Sequence, residues 1–377
     1  MYVTAHELFK RFMAGLDAQP EASVVHSLAE SPRLGDFLGV LDPNLSLDWS
    51  SKDFQGLPSL REKVLARTGT AKECIVEDVL ITAGTAEANF LAISQLVQPG
   101  DEIIVDVPGW PQPLVLGDAI GATVKRLQRK ENQAWRFDLN ELSELITDRT
   151  KLIFLCNPNN PTGQVIHEEE LKEIITLADK VGAYVLCDEV YAGLEWDGKT
   201  IPRVANLYDK GISTGSVSKV LGLQGLRTGW IVCRDKKLIY DAMVLREDTS
   251  EIMNIMGEAI ADIALADDYY FKAIERALTA GRHNLGLVNT FIQSQAELEW
   301  HLPPAGLIGF CRLNYEMKSD AFAQGLMQMP FSTFVMPGSA YGYPEHLRLG
   351  FGGAADAGVA KGLARMQQFL ETLRIKS

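Results

Sequence analysis

The chain has 377 residues, a length that predicts two domains rather than one core. Its residues are 46% hydrophobic and 23% charged, as in an ordinary globular protein. The formal net charge of −13 argues against non-specific binding to nucleic acid, which needs a basic surface.

The five cysteines are scattered and show no CxxC spacing, so the sequence predicts neither a disulfide framework nor a zinc site, and no other metal. No apolar run is long enough for a membrane span. Residues 1–16 carry charges throughout, which predicts an amphipathic helix and not a signal peptide. We therefore expect a cytoplasmic protein.

Short apolar runs alternate with helical patterns between about residues 75 and 235. The runs predicted as strands are Val79–Thr82, Glu102–Val105, Leu152–Leu155, Ala183–Leu186, Ile212–Gly215 and Gly229–Val232. Three glutamates open a predicted crossover helix, Glu168–Val181, where negative charge favours a helix N-terminus. This alternation predicts an α/β fold whose mostly parallel sheet is covered on both faces.

The pattern changes after about residue 286. Two shorter strands are predicted over Glu297–Leu302 and Gly309–Leu313, followed by a last helix over Gly358–Thr372. These elements predict a second, smaller α+β unit.

Polar loops follow three of the predicted strands. They are Ala83-Gly84-Thr85-Ala86, Asn157-Pro-Asn-Asn160-Pro-Thr-Gly163 and Cys187-Asp188-Glu189-Val190-Tyr191. Ligands of parallel α/β sheets bind at such strand ends. The Gly84 loop also begins a predicted helix, whose free amides and dipole form an anion site.

A fourth polar segment, Thr214-Gly-Ser216-Val-Ser218-Lys219, is followed eight residues after the lysine by Arg227. The Lys219 amine can form a Schiff base with an aldehyde. Charge-assisted bonds from Arg227, with the hydroxyls of Ser216 and Ser218, can hold a phosphate. Pyridoxal 5'-phosphate (PLP) carries both groups.

Together these motifs resemble, in content and order, those of the class I/II aminotransferases of PLP fold type I. The resemblance covers nearly the whole chain and ends with Arg348 in Leu347-Arg348-Leu-Gly-Phe. It implies a large PLP-binding domain over residues 48–285. It also implies a small domain made of residues 1–47 together with 286–377.

The resemblance implies a role for each motif residue. Asp188 would pair with the pyridine nitrogen, Tyr191 and Asn160 would bind the phenolic oxygen, and Trp110 would stack on the ring. Gly84, Thr85 and Ala86 would bind the phosphate. Arg348 would grip the substrate carboxylate, and the freed Lys219 amine would move protons at the α-carbon.

One departure concerns the subunit contact. Relatives of this kind place a tyrosine before a G-x-x-x-L-R segment, and its hydroxyl reaches the phosphate of the neighbouring subunit. Here Ser51 stands at that position, ahead of Gly56 to Arg61. If the contact is kept, each site needs two chains and a homodimer follows.

A second departure is Ser27-Leu28-Ala29-Glu30-Ser31, which looks like the Gly-Leu-Ala-Glu-Asn of ACC synthases. The segment also suits capreomycidine- or enduracididine-type cyclases, which close hydroxyarginines into cyclic guanidino amino acids. His26, Glu30 and Asp53 could contact a cationic side chain, or could be ordinary loop residues.

Two chemistries therefore stay open for an L-amino acid substrate. Transamination is the first expectation, and elimination with cyclisation is the alternative; both use the same catalytic residues. A regulatory PLP-binding protein is less expected, because no basic helix-turn-helix segment precedes the fold.

Overall fold

A computed structural model describes residues 3, 6–48, 53–70, 72–356 and 358–376. Its helices are α1 (Glu7–Asp17), α2 (Gly35–Leu38), α3 (Pro58–Thr68), α4 (Thr85–Leu96), α5 (Gln112–Ile120), α6 (Leu139–Leu145), α7 (Glu168–Val181), α8 (Val204–Leu207), α9 (Lys236–Arg246), α10 (Ile255–Ala264), α11 (Asp267–Gln293), α12 (Ser319–Met327) and α13 (Val359–Lys376).

Its strands are β1 (Ala22–Ser23), β2 (Val25–Ala29), β3 (Val79–Thr82), β4 (Glu102–Val107), β5 (Thr123–Lys130), β6 (Arg136–Phe137), β7 (Thr150–Cys156), β8 (Tyr184–Asp188), β9 (Gly211–Ser216), β10 (Gly229–Val232), β11 (Leu298–Trp300), β12 (Ile308–Leu313), β13 (Thr333–Phe334), β14 (Met336–Pro337) and β15 (His346–Gly353).

The large sheet has eight strands in the order β3-β10-β9-β8-β7-β4-β5-β6. Strands β9, β8, β7, β4 and β5 run parallel to one another. Strand β10 is antiparallel to both β3 and β9, so β3 points in the same direction as the parallel strands. The predicted α/β fold with a mostly parallel sheet is confirmed.

Both faces of this sheet are buried, as the apolar runs require. Along β7, Leu152 and Phe154 pack into the core on the side of α4, while Ile153 and Leu155 pack on the side of α7. Successive strand residues point to opposite faces, so a strand covered on both sides must be apolar throughout.

Helix α7 shows how local sequence sets an element's ends. It begins at Glu168, and the Glu170 carboxylate accepts a hydrogen bond from the His167 N–H at 3.1 Å. It ends where Gly182 adopts a left-handed φ of 69°. The predicted bounds of this helix are confirmed.

Strand β5 was absent from the predicted strands. Its charged residues, such as Lys125 and Arg129, obscure the apolar signal of a strand near the sheet edge. The Arg129 guanidinium is nevertheless buried, where it pairs with Asp106 at 2.6 Å.

The second sheet contains β11, β12, β15 and β14 in that order, and β2 pairs with β15 in parallel. It therefore joins a segment near the N-terminus to one near the C-terminus. The predicted domain boundary between residues 285 and 286 falls within helix α11. The predicted domain boundaries stay a prediction. Among the described residues, no helix is both long enough and apolar enough to cross a membrane.

Candidate active site

The strand ends explain why distant motifs meet. The Thr82 end of β3, the Ser216 end of β9 and the Gly229 start of β10 are paired at one edge of the large sheet. The loops carrying Gly84, Lys219 and Arg227 leave from this edge. Strands β7 and β8 end nearby with Cys156 and Asp188 paired to each other.

The start of α4 forms an anion site. Gly84 caps the helix with a φ of 83°, and a Cβ there would lie 2.4 Å from Nη2 of Arg227. The first amides of a helix have no partner within it, and the buried Oγ1 of Thr85 makes no hydrogen bond in the described structure. These donors, with Arg227 above them, fit a phosphate group.

The backbone conformation of Arg227 and a hydrogen bond of its side chain place the guanidinium at the anion site. It has a left-handed φ of 50°, and its Nη2 donates to the Ala83 carbonyl at 3.2 Å. Ser216 and Ser218 lie buried on the facing loop, where Ser216 Oγ accepts from the Ser218 N–H at 3.3 Å. The structure thus brings the predicted phosphate ligands together.

Trp110 is fastened to the same place by Gln112, which the sequence did not single out. The Trp110 indole donates to Gln112 Oε1 at 3.2 Å, and Gln112 Nε2 donates to the Ala86 carbonyl at 2.7 Å. On its other side, the His6 ring meets Trp110 edge-on with centroids 5.5 Å apart. Trp110 therefore stands as a half-buried wall beside the anion site.

Asp188 lies buried at the end of β8. Its Oδ2 accepts from Asn89 Nδ2 at 3.0 Å, and Thr214 Oγ1 donates to Asn89 Oδ1 at 2.8 Å. Burial raises the pKa of Asp188 to about 6, while Asn89, the Val190 amide and the charge of Lys219 act to lower it. The carboxylate is therefore the main form above pH 6, ready to pair with a protonated ring nitrogen.

Asn89 was also missed by the sequence analysis. It lies on the buried face of α4 among apolar residues such as Ala88 and Ala92. An amide on an otherwise apolar helix face was the available signal, because a buried polar group needs a partner.

Glu189 has a different environment from its neighbour Asp188. Its carboxylate accepts from Ser213 Oγ at 2.8 Å and from the Val204 N–H at 3.2 Å, and it faces Arg203. Burial raises the pKa of Glu189 to about 7. These contacts give Glu189 a structural role.

Lys219 lies between the two sheets, half-buried. Its Nζ is 5.9 Å from the ring centroid of Tyr191 and 3.5 Å from Oγ of Ser27. Burial lowers the pKa of Lys219 to about 8; the charges of Arg348 and Arg227 act in the same direction, and Asp188 opposes them. A neutral amine, the form that attacks an aldehyde, is thus accessible near neutral pH.

Tyr191 and Asn160 approach the site from the β8 and β7 loops. The buried Tyr191 hydroxyl donates to Ser27 Oγ at 3.2 Å. Asn160 Oδ1 accepts from the Tyr341 hydroxyl at 3.1 Å, which leaves its NH2 group to donate elsewhere. Tyr341, from the loop before β15, is a further residue that the motifs did not indicate.

Arg348 is buried on β15 beside β2. Its Nη2 donates to the Val25 carbonyl at 2.6 Å, whereas its buried Nε makes no hydrogen bond in the described structure. Its charge acts on both Lys219 and Tyr341. An unsatisfied buried guanidinium donor beside a lysine fits a carboxylate ligand.

The three side-chain candidates have separate environments. His26 is exposed, although burial and the charge of Arg348 both lower its pKa. Glu30 is exposed, and Asp53 forms an ion pair with Arg61 of α3. Their substrate contacts stay a prediction, and Ser51 lies outside the described residues.

Comparison with known proteins decides the family. A model described as aminotransferase class I and II matches residues 50–365. The chain belongs to the class I and II aminotransferase family. Its cofactor is PLP, and the anion site, Asp188 and Lys219 fit the phosphate, ring nitrogen and aldehyde of that cofactor.

Two curated relatives represent the two chemistries. An aspartate aminotransferase of Streptomyces avermitilis is 28% identical over 338 residues, covering 84% of this chain and 80% of its own. A capreomycidine synthase of Streptomyces vinaceus is 27% identical over 295 residues, covering 78% and 75%.

Solved structures of PLP-dependent enzymes share the fold over almost the whole chain. A PLP-dependent aminotransferase from Streptococcus suis has a TM-score of 0.90 at 26% identity and covers 99% of both chains. The PLP-dependent cyclase OrfR has a TM-score of 0.87 at 23% identity, covering 99% of this chain and 98% of its own. The expected fold type I architecture is confirmed.

Proposed function

We propose that this enzyme transfers the amino group of an L-amino acid to a 2-oxo acid. PLP supplies an aldehyde that accepts the amino group and a ring that withdraws electrons from the α-carbon. One observation carries the proposal: Lys219 Nζ lies 3.5 Å from Ser27 Oγ and 5.9 Å from the ring centroid of Tyr191, and the charges of Arg348 and Asp188 both act on it.

Each side chain has a defined task in this proposal. Arg348 binds the substrate carboxylate and so fixes which α-carbon bond is aligned for cleavage. Lys219, once free and neutral, would take the α-proton and return a proton to the carbon of the cofactor's aldehyde group. This second proton transfer completes the exchange. Asp188 stays ionised and keeps the ring nitrogen protonated, while Tyr191 and Asn160 direct hydrogen bonds to the phenolic oxygen.

Elimination with cyclisation is the second candidate. The similarity of the chain to a capreomycidine synthase supports it. In that reaction the side-chain hydroxyl of a hydroxyarginine leaves as water and a guanidine nitrogen forms the new C–N bond. It would use the same Lys219 and Arg348. The two acidic residues predicted to contact a guanidine give it less support, because Glu30 is exposed and Asp53 is paired with Arg61.

A single-turnover experiment separates the two reactions. The PLP-loaded enzyme is mixed with amino acids, including arginine and hydroxyarginines, without any 2-oxo acid. We expect pyridoxamine phosphate to accumulate with at least one amino acid, together with its 2-oxo acid. A cyclic product with the cofactor still as PLP would replace this proposal with cyclisation. The Lys219→Ala protein is the matched control and should do neither.

A homodimer forms part of the proposal. Among the described residues between 34 and 54, five large apolar side chains are at least half exposed in the single chain: Leu34, Leu38, Val40, Leu47 and Phe54. Such a concentration is typical of a protein interface. The predicted cross-subunit residue, Ser51, belongs to the same segment of sequence, and a second copy would cover these side chains.

We expect light scattering of the PLP-loaded protein to give twice the chain mass of 41.6 kDa. Val40→Asp should lower that mass by placing a charge in the interface, whereas Val244→Asp on α9 should not. A monomer of full activity would contradict the dimer.

A cytoplasmic location is also proposed, because all five cysteines are free and buried, as in a reducing compartment.

A further inference from the structure

Strand β2 packs directly on the loop that follows β9 and carries Lys219 and Gly222. The Ala29 N–H donates to the Lys219 carbonyl at 2.8 Å. Gly222 has a φ of 68°, and a Cβ on it would lie 2.4 Å from the Glu30 carbonyl oxygen. Strand β2 also pairs with β15. Its Val25 carbonyl accepts a hydrogen bond from Arg348 Nη2. Residues of β2 are therefore held between the lysine and the carboxylate-binding arginine.

Ser27 is the β2 residue whose side chain reaches the reacting groups. It is only 5% exposed. Its Oγ accepts from the Tyr191 hydroxyl at 3.2 Å and from Lys219 Nζ at 3.5 Å. A serine oxygen has two lone pairs, so it keeps an acceptor site for Lys219 whether the Tyr191 hydroxyl donates to it or to the phenolic oxygen of a bound cofactor. The motif that this segment resembles begins with glycine, which offers no hydroxyl.

We propose that Ser27 is a positioning residue that holds the Lys219 amine for proton transfer at the substrate α-carbon. This inference rests on the proposed function. When the α-C–H bond breaks, its proton passes to the neutral Lys219 Nζ and its electron pair passes into the cofactor. The resulting ammonium donates a hydrogen bond to Ser27 Oγ, and Ser27 itself neither gains nor loses a proton.

The charges around Lys219 explain why such an acceptor matters. Arg348 and Arg227 both disfavour an ammonium at this position, and Asp188 favours it. A neutral oxygen that accepts from the ammonium stabilises it without neutralising Arg348, which must stay charged for the substrate. Removing the hydroxyl should make the protonated amine less stable and less well oriented.

Ser27→Ala tests this role in the full-length enzyme. The rate at which the cofactor-free protein takes up PLP, followed by the visible band, should rise with pH as Lys219 loses its proton. We expect the midpoint of this rise to move down by about one to two pH units in Ser27→Ala, as for loss of a hydrogen bond to a charged group. We expect kcat to fall by roughly tenfold to a hundredfold.

An α-deuterated substrate provides the second readout. If proton transfer becomes slower, the isotope effect on kcat should be larger in Ser27→Ala than in the wild type. Ser27→Thr keeps the hydroxyl and should restore both values. Ser23→Ala is the matched control, because it removes a buried hydroxyl of the same segment that makes no hydrogen bond in the described structure.

The outcomes separate this inference from the function on which it rests. An unchanged pH midpoint together with an unchanged isotope effect in Ser27→Ala overturns the role of Ser27 alone. A wild type that takes up no PLP overturns the proposed function as well. Ser27→Gly carries the same expectations and replaces the alanine variant if a thermal melt shows that the latter is unfolded.

Discussion

Lys219→Ala is expected to abolish the visible band of the bound cofactor and to lower kcat by about 10⁴-fold or more, since general acid–base catalysis alone contributes up to this factor. Alanine can neither bond covalently to the aldehyde nor carry the α-proton. The measurement is the absorbance spectrum of the purified protein with added PLP, together with single-turnover rates.

Lys199→Ala is the matched control, because the Lys199 side chain is 87% exposed and pairs with the exposed Asp197. It should keep the spectrum and the rate. Borohydride reduction of the wild type should fix the cofactor to the peptide that contains Lys219. A cofactor fixed to another lysine, or a Lys219→Ala protein that keeps the band, would show that the assignment is wrong.

Asp188→Asn is expected to lower kcat by about 10²- to 10³-fold, since breaking a buried hydrogen-bonded charge pair costs about 2–5 kcal/mol. The amide removes the negative charge that keeps the ring nitrogen protonated. Asn89 still offers a hydrogen bond, so the fold should persist. Single-turnover rates with saturating PLP measure the loss of chemistry separately from cofactor affinity.

The pH dependence of PLP affinity tests the same residue with a defined sign. The pKa of Asp188 is raised to about 6, so its carboxylate is present above pH 6 and protonated below it. Affinity should therefore weaken as the pH falls through about 6 in the wild type, and this decline should be absent in Asp188→Asn.

Glu189→Gln is the control for both measurements, because Glu189 is an equally buried acid on the adjacent residue whose contacts are Ser213, Val204 and Arg203. Its effect should appear in the melting temperature rather than in the cofactor spectrum. A spectrum that changes in Glu189→Gln and not in Asp188→Asn would reverse the two roles.

The sequence was sufficient to predict the parts of the site that lie on local motifs. Lys219, Asp188 and Gly84 each follow an apolar run, and the carboxyl ends of parallel strands meet at one edge. Arg227 joins them because β10 runs antiparallel and starts where the others end. That reversal was not visible in the apolar pattern, which has no direction.

The supporting residues could not be predicted in the same way. Asn89, Gln112 and Tyr341 act through partners that are distant in sequence, such as Asp188, which lies 99 positions from Asn89. No periodicity encodes such pairs. The side-chain candidates stay a prediction, because the sequence gives no signal of which direction a single polar side chain faces, and Asp53 faces Arg61.

The pairing of β2 with β15 has a consequence for the order of events during synthesis. Val25 and the arginine that it contacts are 323 positions apart. A growing polypeptide therefore contains Lys219 and the residues of the anion site before Arg348, the residue proposed to bind the substrate carboxylate, has been synthesised. Binding of the amino acid therefore requires that β15 has left the ribosome and paired with β2, whereas the residues of the cofactor site are synthesised earlier.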